Sequence, residues 1–132
     1  VLSPDGADLL LILHAKLGLW LQPGGHVDEA DVDVLAAARR EVEEETSIGA
    51  LEAEGGLLDV DIHPIPANPK KGEPPHEHFD VRFVFRAPDW SFAAGSDALA
   101  ARWVALADVA DAGTDESVER AVRKLIARRA SR

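Results

Sequence analysis

Three glutamates stand at a spacing that could hold a metal ion. Glu41, Glu44 and Glu45 occupy positions i, i+3 and i+4 of a segment with helical periodicity, so their carboxylates would share one helix face. Like charges that close repel one another unless a cation lies between them. Mg²⁺ prefers carboxylate oxygens and keeps several of its waters, which leaves positions for phosphate oxygens. Arg40, four residues before Glu44, could orient that carboxylate.

A run of glutamates on its own usually forms a solvated surface. Here the run follows a Gly24-Gly25 loop, and glycine lets the backbone approach a ligand closely. The segment from Gly25 to Ile48 resembles the Nudix box, whose consensus is Gly, five residues, Glu, seven residues, then Arg-Glu-apolar-x-Glu-Glu-x-Gly-apolar. Gly25 matches the first glycine, Asp31 stands at the first glutamate, and the stretch 40–48 matches the second half.

Two departures from the consensus concern the backbone around the helix. Eight residues rather than seven separate Asp31 from Arg40, and Ser47 replaces the glycine after the paired glutamates. A left-handed Ser47 would cost about 1 kcal/mol relative to glycine. Alternatively, the helix continues to Gly49. Neither departure removes a carboxylate.

The resemblance to the Nudix hydrolase family (MutT-like) implies an enzyme, a Nudix-type pyrophosphohydrolase. Such an enzyme hydrolyses a phosphoanhydride bond in a nucleoside diphosphate linked to another moiety, by attack of water at phosphorus. Mg²⁺ is the expected cofactor, with Mn²⁺ as an alternative. The rival interpretation is a Nudix-fold module that binds a nucleotide or a partner without turning it over.

Roles carried over from the family fall on the matched positions of this sequence. Glu44 and Arg40 are the expected catalytic residues, with Glu44 orienting or deprotonating the water. A further acidic residue outside the box is expected, and Asp97, Glu77 and Asp80 are the candidates. The expected metal ligands are Glu41, Glu44, Glu45 and the carbonyl of Gly25.

Several residues after the box could contact a substrate. His76, His78 and Asp80 share one strand face, a pattern that also suits an exposed polar surface or an independent transition-metal site that would bind Zn²⁺ before Mg²⁺. Arg82 could clamp a phosphate or form a structural salt bridge, and a tryptophan could stack on a base. The predicted substrate-binding residues are His76, His78, Arg82, Trp90 and Asp97.

The rest of the sequence predicts the elements that position these residues. Alternation of apolar residues and turn signals predict strands over 8–14, 19–21, 77–87 and 101–106, with a hairpin or bent strand in 51–65. Helical periodicity covers 33–46 and 114–130, and five prolines with Lys70-Lys71-Gly72 make 64–75 an exposed loop. On the long strand, Phe79, Val81, Phe83 and Phe85 should share one face, with His76, His78, Asp80 and Arg82 on the other. On the last helix we expect the inward residues to be Val118, Ala121, Val122, Leu125 and Ile126.

These elements predict one α/β (α+β) domain over residues 1–132, with the box at 25–48. The resemblance implies a Nudix-like α/β/α sandwich with a mixed β-sheet. In this plan the box is a loop and helix between strands, and the terminal helix covers the opposite face of the sheet.

Composition narrows the possible partners. The formal net charge of −10 argues against a nucleic-acid polymer as partner, since such binding depends on Lys and Arg. The chain has no cysteine, which excludes disulfides and thiolate metal sites. No apolar run reaches membrane-spanning length, and no signal peptide is recognisable. We expect a cytoplasmic protein that acts on an anionic, nucleotide-derived phosphoanhydride, and an exposed apolar strand edge would permit a homodimer.

Overall fold

The computed structural model describes residues 1–25, 27, 29–95 and 98–131. In this part of the chain, short 3₁₀ turns lie at Pro69–Lys71 and Leu106–Asp111. The strands are β1 (Asp8–His14), β2 (Trp20–Leu21), β3 (Glu52–Ala53), β4 (Asp59–Ile65), β5 (His76–Arg82), β6 (Phe85–Arg86) and β7 (Ala98–Ala105). The helices are α1 (Val34–Thr46) and α2 (Glu116–Ala130).

The sheet is built around β1, which pairs antiparallel with β2 on one side and β7 on the other. The first residues of the chain connect this group to β3 and β6, while β4 and β5 form a separate pair. Leu2 bridges antiparallel to Leu9 and parallel to Arg86, and β6 pairs with β3. One parallel bridge among antiparallel pairs makes the sheet mixed, as predicted.

Consecutive residues of β1 point to opposite faces of the sheet, where separate cores form. Leu10 packs in a cluster with Val42 of α1, whereas Leu11 packs in a second cluster with Val118 and Val122 of α2. The two helices therefore cover opposite faces, and the chain folds as the predicted α/β/α sandwich.

Both helices begin at aspartates that cap them. The Asp33 carboxylate accepts the Ala36 amide proton, and Asp115 does the same for Val118. Helix α1 ends at Thr46 rather than at Gly49, because Ser47 is left-handed, with φ of 59°, and donates its amide to the Glu43 carbonyl. Helix α1 thus ends just before the position at which the consensus has glycine. Ser47 adopts the left-handed conformation there, which strains an L residue.

Strands β4 and β5 form a hairpin that differs from the sequence prediction. Phe79 is 60% exposed and Val81 is also exposed, while Asp59 on the polar face is buried. The predicted continuous strand is broken between Arg82 and β6, where Val84 and Phe85 are both buried. Phe79 and Val81 share one face as predicted, and this face is exposed because ion pairs to α2, rather than apolar packing, bury the base of the hairpin.

The structure differs from the sequence prediction at two further places, on α2 and at the start of the proline-rich segment. Ile126 is 49% exposed, so the inward face of α2 is narrower than predicted, with Val118, Val122 and Leu125 buried. The proline-rich segment is exposed along 66–75 except for the half-buried Asn68. Its first residues, Pro64 and Ile65, instead belong to β4.

Candidate active site

The glycine loop lies directly against the carboxylate face of α1. The Gly24 amide donates to Oε2 of Glu45 at 2.9 Å. At Gly25 there is no room for a side chain, because an added Cβ would lie 2.1 Å from Oε2 of Glu41. The glycine requirement that the sequence suggested therefore has a steric reason, the close approach of the loop to a carboxylate.

Arg40 organises the acidic groups around it. Its Nε and Nη2 bind the two carboxylate oxygens of Asp31, each at 3.0 Å. Nη1 donates to Glu41 at 2.9 Å and to Glu44 at 3.2 Å. The Asp31 side chain is only 7% exposed, so the extra residue between Asp31 and Arg40 does not prevent a bidentate pair.

The carboxylates of the box differ in their access to solvent. The Glu41 side chain is 18% exposed and that of Glu44 is 60% exposed. Glu43 is exposed as well. A half-enclosed carboxylate beside an open one is chemically suited to hold a divalent cation and still admit a ligand from solvent.

The loop after β6 is fixed to the end of the box helix. Ala93 and Gly95 donate their amides to the carbonyls of Thr46 and Glu45, at 2.8 and 2.6 Å. Trp90 in this loop is 47% exposed. Its ring meets Trp103 edge-on at 5.6 Å. The loop thus presents an exposed aromatic ring on the side of the sheet that carries α1. Asp97, predicted as a substrate contact or further acid, lies outside the described residues.

Arg82, predicted to clamp a phosphate, is instead held in a structural ion cluster. It donates to Asp59 and to the Ser117 hydroxyl, both at 2.8 Å. Arg120 and Lys124 bind Asp59 as well. Hydrogen bonds from Arg120 above all hold the pKa of Asp59 well below its ordinary value. The salt-bridge alternative therefore describes Arg82, with Asp59 as the partner in place of Asp80 or a glutamate.

The histidines predicted to contact substrate lie in the first half of β5, whereas Arg82 is its last residue. His76 and His78 are exposed, and their rings are 5.3 Å apart. Asp80 does not group with them along the strand. It lies opposite Asp61 in the strand register, and its carboxylate faces His63 at 3.6 Å. Cross-strand neighbours are closer than residues two apart on one strand, which explains the regrouping.

Four residues of this region were not predicted from the sequence: Asp59, Asp61, His63 and Arg120. A signal was present, because the first three alternate along β4 and therefore share one face. Glu77, another candidate for the further acid, is exposed on β5. It points to the opposite face of the hairpin from His76 and His78.

Comparisons with known proteins agree with this architecture. The NUDIX domain family model matches residues 1–126, so the chain belongs to the Nudix family, as the box predicted. A protein of Lactococcus lactis named "Probable DHNTP pyrophosphohydrolase" is 40% identical over 76 residues. That match covers 58% of this chain and 45% of that protein, so the chain spans less than half of this relative's length.

Solved structures share the fold at low sequence identity. The E. coli dihydroneopterin triphosphate pyrophosphohydrolase has a TM-score of 0.71 at 19% identity, over 93% of this chain and 88% of its own. A C. elegans Ap4A hydrolase has a TM-score of 0.69 at 22% identity, over 97% and 90%. The Nudix fold is therefore confirmed. Among the described helices, none is long and apolar enough to cross a membrane.

Proposed function

We propose that the chain is a Mg²⁺-dependent hydrolase of a phosphoanhydride bond in a nucleoside diphosphate linked to another moiety. The observation that carries the proposal is the carboxylate face of α1, which the glycine loop covers and Arg40 orients. Gly25 lies so close to Glu41 that a Cβ would overlap the carboxylate. A solvated charged surface would have no need of such an approach.

The donor set fits a magnesium ion. Glu41, Glu44 and Glu45 supply carboxylate oxygens from one helix face, and the Gly25 carbonyl is the proposed additional ligand. Mg²⁺ at this position would neutralise charge on the phosphates and lower the pKa of bound water; Mn²⁺ prefers the same oxygen ligands. Arg40 holds the carboxylates of Glu41 and Glu44 in place, since its guanidinium donates to them at 2.9 and 3.2 Å.

Glu44 is the proposed residue that orients or deprotonates the attacking water. It is the more open of the two carboxylates bound by Arg40, at 60% exposure against 18% for Glu41. A water molecule and a substrate can therefore reach it from solvent. Arg40, through its bidentate pair with Asp31, would keep the Glu44 carboxylate directed at the site, since removing the proton requires a fixed acceptor.

The test is a hydrolysis screen with and without Mg²⁺, run on the parent protein, on Glu44→Gln and on Glu43→Gln. Loss of a general base typically lowers the rate about 10²- to 10⁴-fold, and we expect a fall of that size for Glu44→Gln. Glu43→Gln is the matched control, because Glu43 is exposed on the same helix and we assign it no role at the site. It should retain the parent rate.

The same screen separates the enzyme from the rival binding module. If no substrate is turned over while a nucleotide still raises the melting temperature, the chain is a binding module rather than a hydrolase. Equal rates in Glu44→Gln and Glu43→Gln would contradict the assignment of Glu44 even if hydrolysis occurs.

Names of similar proteins suggest the first substrates for the screen. Dihydroneopterin triphosphate and Ap4A occur in those names, and ADP-ribose-like diphosphates, oxidised nucleoside triphosphates and non-nucleotide phosphoanhydrides complete the set. Trp90 is the proposed base contact, since its ring is half exposed on the loop beside α1. His76 and His78 stay proposed contacts, supported by their exposure alone.

Two properties of the whole protein complete the proposal. We propose a cytoplasmic location, in line with a nucleotide-derived substrate. A homodimer is favoured by one exposed apolar face of the hairpin, formed by Val60, Ile62, Phe79 and Val81. Sedimentation analysis of the parent and of Phe79→Ser tests it, and an unchanged monomer for both would refute the dimer.

A further inference from the structure

A second group of metal-binding side chains lies on the hairpin. Asp61 and His63 of β4 and Asp80 of β5 each offer one ligand atom, and these atoms lie within 4.8 Å of one another. Nδ1 of His63 is 3.5 Å from Oδ2 of Asp61 and 3.6 Å from Oδ2 of Asp80. Hydrogen bonds from nitrogen to oxygen measure about 2.7–3.2 Å. The histidine thus faces two carboxylates at distances longer than hydrogen bonds.

The strand register places like charges opposite each other. Asp61 and Asp80 are paired residues of β4 and β5, and two negative charges in such a pair destabilise a sheet. Arg120 of α2 compensates only in part, because it donates to Oδ1 of Asp61 at 2.9 Å. Oδ2 of Asp61 remains directed at His63. Two carboxylate oxygens and an imidazole nitrogen therefore surround one point.

The two separations from His63 are close to those of ligands around a shared ion, and all three ligand atoms lie within 4.8 Å of one another. Zinc binds nitrogen and oxygen at about 2.0–2.2 Å with tetrahedral angles, which puts neighbouring ligand atoms about 3.4 Å apart. The two distances from His63, 3.5 and 3.6 Å, exceed this value by only a few tenths of an ångström. An ion could bind after a small movement of side chains that are partly exposed.

We propose that Asp61, His63 and Asp80 form a second divalent-cation site that takes a transition metal such as Zn²⁺ in preference to Mg²⁺. The preference follows from the ligands, because imidazole nitrogen suits zinc whereas magnesium takes oxygen. It distinguishes this site from the oxygen-only carboxylates of α1. Three protein ligands leave a coordination position for water or for a ligand oxygen.

Acidic side chains outnumber basic ones in the groove around the three residues. The groove, of about 600 Å³, is bordered by Asp115 and Glu116 as well as by Arg82 and Arg120. Both arginines are already paired with Asp59. The surroundings therefore favour a bound cation.

An alternative needs no metal. The three side chains and Arg120 would then form a surface ion cluster. The two interpretations differ in the response to added zinc. A metal site binds zinc with a defined stoichiometry, whereas an ion cluster does not.

The test is a calorimetric titration of Zn²⁺ into the parent protein at about pH 7.5 with millimolar Mg²⁺ present to occupy the box. We expect one zinc ion per chain. His63→Ala and Asp80→Asn should weaken binding at least about 100-fold, the upper effect of losing even an outer-shell partner. His76→Ala and Glu77→Gln are the matched controls on the same hairpin, at exposed residues outside the proposed site, and should bind zinc as the parent does.

The outcomes that overturn the proposal are specific. They are the absence of zinc binding in the parent, displacement of zinc by millimolar Mg²⁺, unchanged affinity in His63→Ala, or an equal loss in the two control variants. Far-UV circular dichroism checks that each variant folds, and His63→Gln repeats the test with a bulkier replacement. Glu44→Gln should leave zinc affinity unchanged, so failure here is distinguishable from failure of the proposed hydrolase.

Discussion

At Gly25 the absence of a side chain lets the loop approach the Glu41 carboxylate closely. Gly25→Ala would bring a Cβ to within 2.1 Å of Oε2 of Glu41. Because the obstructing group is the end of a flexible side chain, the carboxylate can move aside, so the free energy of unfolding should change by less than about 1 kcal/mol. The displaced ligand should lower hydrolysis at least about 10-fold, since misplacements near 1 Å cost up to about 10².

The measurement compares Gly25→Ala with Gly49→Ala by hydrolysis rate and urea denaturation. An added Cβ at Gly49 meets nothing within 4 Å, so that variant should retain both activity and stability. A Gly25→Ala protein with full activity would mean that the position of the Glu41 carboxylate does not matter for the reaction.

Ser47 stands at a position where the Nudix box consensus has glycine. It sits at φ of 59° directly after α1, where an L side chain is strained and glycine is not. We expect Ser47→Gly to raise the free energy of unfolding by about 1 kcal/mol, with Ser47→Ala close to the parent. Chemical denaturation measures both, and a destabilised Ser47→Gly would indicate that the hydroxyl forms a bond worth more than the strain.

At the scale of elements, the connection between the hairpin and α2 depends on one buried carboxylate. The Asp59 side chain is fully buried, and Arg82, Arg120 and Lys124 converge on it. Asp59→Asn would remove the carboxylate that Arg82 and Lys124 bind and would leave Arg120 with Asp61 alone. Breaking a buried pair costs about 3–5 kcal/mol, and we expect a loss of that size in denaturant unfolding.

Glu116→Gln is the matched control for Asp59→Asn. Glu116 pairs with Arg123, but both side chains are largely exposed, so its loss should leave stability almost unchanged. Similar effects of the two substitutions would show that the cluster at Asp59 does not stabilise the hairpin.

The same carboxylate predicts how stability depends on pH. The pKa of Asp59 is lowered in the folded protein, chiefly by hydrogen bonds from Arg120, and an unfolded aspartate titrates near about 3.9. The unfolded state therefore binds the proton more readily, so this contribution is complete above about pH 5 and decreases as the pH falls below about 4. Acid titrations at fixed urea should show a smaller decrease for Asp59→Asn than for the parent.

At the scale of the whole molecule, the first residues of the chain join the two groups of strands. Leu2 bridges to Leu9 and to Arg86, and its side chain has no exposed surface. Leu2→Ala should destabilise the protein by about 2–5 kcal/mol because it leaves a cavity between the sheet and α2. Leu17→Ala, at a residue that is 61% exposed, should change stability by less than about 0.5 kcal/mol. Thermal unfolding of the two variants makes the comparison, and equal losses would contradict it.

The sequence by itself determined the features that arise within a few residues of one another. The shared face of Glu41, Glu44 and Glu45 follows from helical geometry alone. The family resemblance rested on an equally local motif, and the family model confirms the family. The roles assigned to these glutamates stay predictions.

Only the tertiary structure decided which distant segments meet. The contact of Gly25 with Glu41, the burial of Asp59 against α2, and the grouping of Asp61, His63 and Asp80 join residues far apart in sequence. Alternation correctly placed Phe79 and Val81 on one face of β5 but could not say which face would be covered. That choice depended on Arg120 and Lys124, whose charges pack against the polar face, because a strand has two faces and only its neighbours determine which is buried.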